Sequence, residues 1–167
     1  CYVADRDWAT AERYFTPGMA YCDDHDITGY STYLRSGRTS VLERTGRWDE
    51  AVALCRELLH QGGPSPSIRL CPLPRLGTIL ARRDEPGAWE CLDEGIGYAD
   101  GSGEPQSIVA LRLARAEAFW LEGKLAEARH EAELADAVAD GSDSWEQGAV
   151  AVWLRRTVGS RVANSSF

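Results

Sequence analysis

Gly46-Arg47-Trp48-Asp49-Glu50-Ala51 is the stretch that decides the fold of this chain. In it, a glycine and a polar residue are followed by a large aromatic residue, and an alanine comes three positions later. Apolar residues continue at Cys55 and Leu58, so that Trp48, Ala51 and these two side chains share one helical face. The stretch therefore predicts a turn at Gly46 followed by an amphipathic helix.

The same apolar spacing recurs three more times, in helices predicted to begin at Trp8, Ala88 and Leu125. The four predicted helices begin at Trp8, Trp48, Ala88 and Leu125, and these positions are 40, 40 and 37 residues apart. The segments upstream of the turns also carry helical spacing and supply a second helix for each unit. A period of this length is typical of stacked helical hairpins. We therefore predict an all-α fold, a right-handed α-α superhelix of antiparallel helical hairpins.

The predicted array is a single domain over residues 1–159, followed by a frayed tail at 160–167. Its units lie near residues 1–24, 27–60, 71–100, 105–140 and 145–159. Proline is tolerated in the first turn of a helix but not in its interior, so Pro72 and Pro74 place a helix start near Cys71. A short separate turn around residues 67–70 is the alternative. Gly77 is expected where two helices cross closely.

Composition excludes several classes of protein. The chain has 26 acidic and 18 basic residues and a net charge of −8, so we expect no direct contact with nucleic acid. It contains no run of about 18 apolar residues, so we expect no membrane span. Its five cysteines are odd in number and never form a CxxC pair, which favours a reduced, cytoplasmic protein.

Few side chains suggest chemistry. Asp23-Asp24-His25-Asp26 is the densest group of metal-capable residues, but consecutive loop residues do not converge on one ion. We expect a solvated loop in which Asp26 caps the next helix. His60 and His130 have no nucleophile at a suitable spacing, and no phosphate-binding GxxxxGK[ST] motif is present. The sequence predicts no catalytic activity, no cofactor and no metal site.

Cys1 allows two interpretations. Mature bacterial lipoproteins begin with a lipidated cysteine, but a flexible polar tether usually follows it, whereas Tyr2-Val3-Ala4 runs straight into a helical pattern. We interpret Cys1 as a position inside the first repeat of a longer chain.

In a superhelix of this kind the first helix of each unit lines a concave surface. Offsets measured back from each turn predict the residues on that surface, which are Tyr33, Ser40, Arg44, Thr78, Arg82, Glu117, Trp120, Trp153 and Arg156. Exposed aromatic residues beside arginines suit a protein or peptide partner, or a small effector. Ordinary packing between units is the competing interpretation, and self-association into a homo-oligomer is left open.

The repeated step resembles tetratricopeptide-like repeats, with Gly46–Ala51 as the closest match and Gly123–Ala128 nearly as good. The longer strings at 80–89 and 114–123 are similar to the helical-repeat region of large actinobacterial ATP-binding regulators of the LuxR (MalT-like) type. That resemblance implies an ATPase module before the repeats and a helix-turn-helix after them, neither of which is visible here. It implies a non-catalytic protein-interaction and signal-sensing domain of a transcriptional regulator. A free-standing scaffold or adaptor is the alternative.

Overall fold

The computed structural model describes residues 7–61, 66–139 and 144–159, and every regular element in these ranges is an α-helix. The helices are α1 Trp8–Asp24, α2 Thr28–Arg44, α3 Trp48–Gln61, α4 Pro66–Arg69, α5 Pro72–Arg82, α6 Ala88–Ser102, α7 Pro105–Leu121, α8 Leu125–Ala139 and α9 Ser144–Gly159. The all-α prediction is confirmed. The predicted tail at 160–167 and the interpretation of Cys1 lie outside the described residues.

Four of the helices form a continuous series. Helix α2 contacts α5, α5 contacts α7, and α7 contacts α9. We call α2, α5, α7 and α9 the row helices. Helices α3, α6 and α8 each pack against two consecutive row helices, and α1 packs against α2 at the start of the series.

Four turns between helices share one backbone hydrogen bond, from an amide to the carbonyl five residues earlier. The bonds are Ile27 N to Cys22 O, Arg47 N to Leu42 O, Glu85 N to Leu80 O and Lys124 N to Phe119 O, at 2.8, 2.9, 2.9 and 2.9 Å. The residue before each donor has a positive φ: 55° at Asp26, 77° at Gly46, 54° at Asp84 and 75° at Gly123. This left-handed residue satisfies the last carbonyls of the preceding helix and reverses the chain.

Two aspartates therefore occupy positions that glycine occupies in the other turns. The prediction that Asp26 caps the next helix is wrong, because Asp26 lies in the left-handed turn and α2 follows Ile27 without a side-chain cap. In the third unit the turn residue is Asp84, whereas Gly87 directly precedes α6. In α6 the inward face carries Leu92 and Ala99, whereas Cys91 and Tyr98, which the apolar spacing from Ala88 predicts to face inward, are only half-buried.

Helix α5 begins at Pro72, with both prolines in its first turn, as predicted. The short separate turn that was the alternative is present as well, because residues 66–69 form the single helical turn α4. The close crossing expected at Gly77 is also confirmed. A Cβ atom there would lie 2.7 Å from Leu92 Cγ, and one at Gly95 of α6 would lie 2.5 Å from Leu111 Cδ2. Helix α5 therefore approaches α6 closely at Gly77, and α6 approaches α7 closely at Gly95.

The core follows the contacts between helices. One apolar cluster joins α2, α3, α5 and α6, and includes the fully buried Cys55, whose pKa is raised to about 12 by burial. A second cluster joins α7, α8 and α9 around alanines such as Ala116, Ala132 and Ala135. Among the described helices, none combines the length and the apolar composition needed to cross a bilayer.

Helix α1 is tied to its neighbours by Glu12. The carboxylate accepts hydrogen bonds from Arg38 Nη2 at 2.8 Å and from Arg47 Nη1 at 3.0 Å. The hydrogen bonds from Arg38 are the main reason that the pKa of Glu12 lies below its ordinary value of 4.5, although partial burial opposes this shift. A carboxylate with a lowered pKa stabilises the fold above the unfolded value and loses that contribution as it is protonated.

We expect Glu12→Gln to lower the free energy of unfolding by about 1 kcal/mol at pH 7. The difference from wild type should persist down to pH 4.5, the ordinary pKa, and vanish as the pH falls further through the lowered folded-state pKa. Urea unfolding of both proteins between pH 7 and pH 3 measures this. Glu133→Gln, at an exposed carboxylate that pairs with Arg129 one turn away, is the control and should change stability by less than about 0.5 kcal/mol. A Glu12 difference that is independent of pH would contradict the assignment.

Candidate functional site

The nine residues predicted for the concave surface all lie on the row helices, but their exposure differs. Tyr33, Arg44, Trp120 and Arg156 are exposed; Ser40, Arg82 and Glu117 are half-buried; Thr78 and Trp153 are buried. The structure brings five of these residues into two groups, an ion-pair group on α5 and α7 and an aromatic group on α7 and α9. The remaining four predicted residues belong to neither group; they are Tyr33, Ser40, Arg44 and Thr78.

Arg82 belongs to an ion-pair network that links three row helices. Its guanidinium forms two hydrogen bonds with Glu117 of α7, at 2.5 and 3.1 Å, and a third with Glu43 of α2 at 3.1 Å. Burial opposes the charge of Arg82, but its hydrogen bonds to Glu117 and the charge of both carboxylates raise its pKa. The donors of Arg82 are thus committed to the protein itself, which favours the packing interpretation for Arg82 and Glu117.

Glu43 is the buried centre of this network, and it is not among the residues predicted from the sequence. Its side chain is 2% exposed, and it accepts a second hydrogen bond from Arg75 Nη1 at 3.2 Å. The signal was available, since Glu43 directly follows the core residues Val41 and Leu42, and Arg75 and Arg82 are seven positions apart on one helix face. A carboxylate at such a position needs cationic partners from a neighbouring helix.

Glu131 of α8 is a second buried carboxylate that the sequence analysis missed. Its side chain is 6% exposed and pairs with Arg112 Nη1 at 3.1 Å and with Arg115 Nε at 2.7 Å, both on α7. Arg115 also pairs with Asp93 of α6, so this group joins three consecutive helices. Its position beside the core residue Ala132 was the corresponding signal in the sequence. Both buried carboxylates hold helices together through arginine pairs.

Trp120, Trp153 and Arg156 form the aromatic group, which we call the tryptophan cluster. The two indole rings meet edge to face with centroids 6.1 Å apart. Arg156 Cζ lies 4.9 Å from the centre of the Trp153 ring and 5.9 Å from that of Trp120. Trp153 is 8% exposed and packs in the core, whereas Trp120 is 39% exposed. The buried ring and the arginine therefore hold an exposed indole in a defined orientation.

A set of exposed tyrosines lies at the other end of the row. Tyr33 of α2 is 74% exposed, and Tyr14, Tyr21 and Tyr30 are also exposed large side chains on the hairpin of α1 and α2. Only Tyr33 belongs to the predicted concave set. The others escaped the sequence analysis because their spacing follows no turn of the repeat.

Groups that could perform chemistry are scarce in the described ranges. No set of three or more His, Cys, Asp or Glu side chains there could hold a metal ion. Asp23 lies in the last turn of α1 and not in the predicted solvated loop, and it accepts hydrogen bonds from Ser31 Oγ at 2.6 Å and Arg35 Nη2 at 2.9 Å, which connects α1 to α2. His60 and His130 are exposed on α3 and α8. These polar residues serve helix contacts or face solvent.

A cleft of about 530 Å³ lies between α1, the end of α2 and the start of α3, with Trp8, Val41 and the Glu12–Arg47 ion pair in its walls. It lies on the α1 side of the row, whereas the tryptophan cluster is at the opposite end on α7 and α9. The cluster combines an exposed aromatic side chain with a cation, which makes it the best-defined candidate surface for a partner. Comparisons with protein-family models, with curated proteins and with solved structures find no significant match to this chain.

Proposed function

We propose that the chain is a tetratricopeptide-like superhelix that binds a protein or peptide segment on its row helices, without catalysis. The observation that carries the proposal is the tryptophan cluster, in which an exposed indole contacts both a buried indole and an arginine. A rigid aromatic side chain loses little conformational entropy on binding, and Trp and Arg are the residues most enriched among those that dominate binding energy.

The superhelix is supported by the contacts between the helices. Helices α3, α6 and α8 each bridge two consecutive row helices, which is the arrangement expected when hairpins stack on one another. The repeated turn bond supports the same arrangement, because equal turns give consecutive hairpins similar geometry. In such a stack the row helices line one continuous surface, and Trp120 lies on it.

We further propose that the domain senses a signal for an ATP-dependent regulator of the LuxR type. A partner or small effector on the row would favour one arrangement of the hairpins, and neighbouring modules would respond to that arrangement. A constitutive scaffold would use the same surface without such a response. A reading frame that encodes a phosphate-binding loop upstream and a helix-turn-helix downstream would support the regulator over the scaffold.

Peptide selection tests the binding function. We expect random peptides displayed on phage to enrich for sequences that bind the immobilised chain. Trp120→Ala should weaken the binding of the selected peptides about tenfold, because it removes the exposed ring. The melting temperature should fall by no more than about 4 °C, because the ring is already partly in water.

Tyr21→Ala is the matched control, since Tyr21 is an exposed aromatic residue on α1, which is not a row helix. It should change the affinity less than about twofold. Calorimetric titration and thermal unfolding of the three proteins provide both measurements. If no peptide is enriched, or if Trp120→Ala and Tyr21→Ala have equal effects on affinity, the proposed binding surface is wrong.

A further inference from the structure

We propose that the segment that docks on the tryptophan cluster is acidic, with an aspartate or glutamate that binds Arg156 beside an apolar side chain that covers Trp120. This inference rests on the proposed function, because it names the chemistry of the partner for the same surface.

Arg156 is a cation that the described residues leave without a carboxylate. It is exposed and contacts both rings of the cluster, but it forms no ion pair with the side chains described at residues 7–61, 68–139 and 147–157. Stacking engages the face of a guanidinium, and its N–H donors at the edge stay available for a carboxylate. Two parallel hydrogen bonds to one carboxylate are the strongest use of those donors.

Four other arginines of the row helices are paired inside the protein. Arg75 and Arg82 of α5 bind Glu43, and Arg112 and Arg115 of α7 bind Glu131. In each case a buried carboxylate neutralises two cations inside the protein. Arg156 has no such partner among the described side chains, and it stands beside the exposed indole of Trp120.

The carboxylates nearest to the cluster along α7 are already engaged. Glu117, one turn before Trp120, pairs with Arg82. Glu122, just after the end of α7, accepts a hydrogen bond from Trp89 Nε1 and pairs with Lys124. Residues 147–159 of α9 contain two arginines and no acidic residue. On this face, Arg156 therefore meets no uncommitted carboxylate from α7 or from residues 147–159 of α9.

Charge complementarity therefore favours an acidic segment over a basic one. A basic segment would bring like charge onto Arg156 and would cover it without a hydrogen-bond partner, which is costly at an interface. An acidic segment gains the two hydrogen bonds of Arg156, and the adjacent apolar side chain removes the exposed part of the Trp120 ring from water.

The test compares charge reversal at two neighbouring arginines. Arg156→Glu and Arg155→Glu change the net charge of the chain equally, but only Arg156 stacks on the rings. Wild-type protein is offered a phage library of acidic peptides and one of basic peptides, each with aromatic and aliphatic residues. We expect enrichment from the acidic library, a loss of affinity of tenfold or more, about 1.4 kcal/mol, for Arg156→Glu, and less than about threefold for Arg155→Glu.

The outcomes separate this proposal from the proposed function. The acidic partner is wrong if peptides that require Trp120 come equally from both libraries. It is also wrong if the selected peptides bind Arg156→Glu as tightly as wild type. Either result leaves the proposed binding function intact. The acidic partner is also wrong if only the basic library yields binders. The same holds if the chain self-associates in sedimentation experiments and Trp120→Ala abolishes this association. If neither library yields a binder, both proposals fail. Arg156→Gln is a second variant that removes the charge without reversing it.

Discussion

Glu43→Ala should lower the free energy of unfolding by about 3–5 kcal/mol, which corresponds to a fall in melting temperature on the order of 10 °C. The reason is that Glu43 is 2% exposed and neutralises Arg75 and Arg82. Without the carboxylate, both half-buried guanidiniums lose a charged partner, and only Arg82 keeps another, Glu117. Chemical and thermal unfolding, monitored by circular dichroism, measure the effect.

Two variants isolate the buried charge. Glu43→Gln keeps the shape of the side chain and one acceptor oxygen, so we expect a smaller loss of about 1–3 kcal/mol. Asp49→Ala breaks the ion pair with Arg83, but Asp49 is 91% exposed, and the loss should stay below about 1 kcal/mol. The opposite result, an equal effect of Glu43→Ala and Asp49→Ala, would show that the network does not hold the row helices together.

Helix positions were predictable because local rules determine them. The spacing at Trp48, Ala51 and Cys55 reflects one buried helical face, and the first turn of α5 follows from the fixed φ of Pro72. The turn residues were harder, since aspartate adopts a positive φ less readily than glycine, and nothing in the spacing marks Asp26 or Asp84 as its substitute.

Contacts between distant side chains were only partly predictable. Offsets from the turns placed Trp120, Trp153 and Arg156 on row helices, but not their stacking, which depends on how α9 packs against α7. The same offsets selected Arg82 and Glu117 as surface candidates, whereas the structure pairs them with each other. Spacing identifies the face of a helix, and only the packed neighbours decide whether a charge on that face is already neutralised.

Gly77→Ala should lower the free energy of unfolding by about 2 kcal/mol, although alanine is the better helix former. The new Cβ atom would lie 2.7 Å from Leu92 Cγ and 3.2 Å from the carbonyl oxygen of Ala88. Leu92 is fully buried and Ala88 O belongs to the backbone, so neither can move away without shifting α6 from α5. The cost of that movement exceeds the roughly 1 kcal/mol gained in helix propensity.

Gly97→Ala is the matched control on the neighbouring helix. Gly97 is exposed in α6, and no heavy atom lies within 4 Å of the added Cβ, so this variant should be more stable than wild type by about 0.5–1 kcal/mol. Urea unfolding of both variants measures the two changes under the same conditions. We expect the two changes in the free energy of unfolding to have opposite signs, because the substitution is the same but only Gly77 lies where α5 and α6 approach each other. A Gly77→Ala protein as stable as Gly97→Ala would mean that these helices do not cross at glycine contact distance.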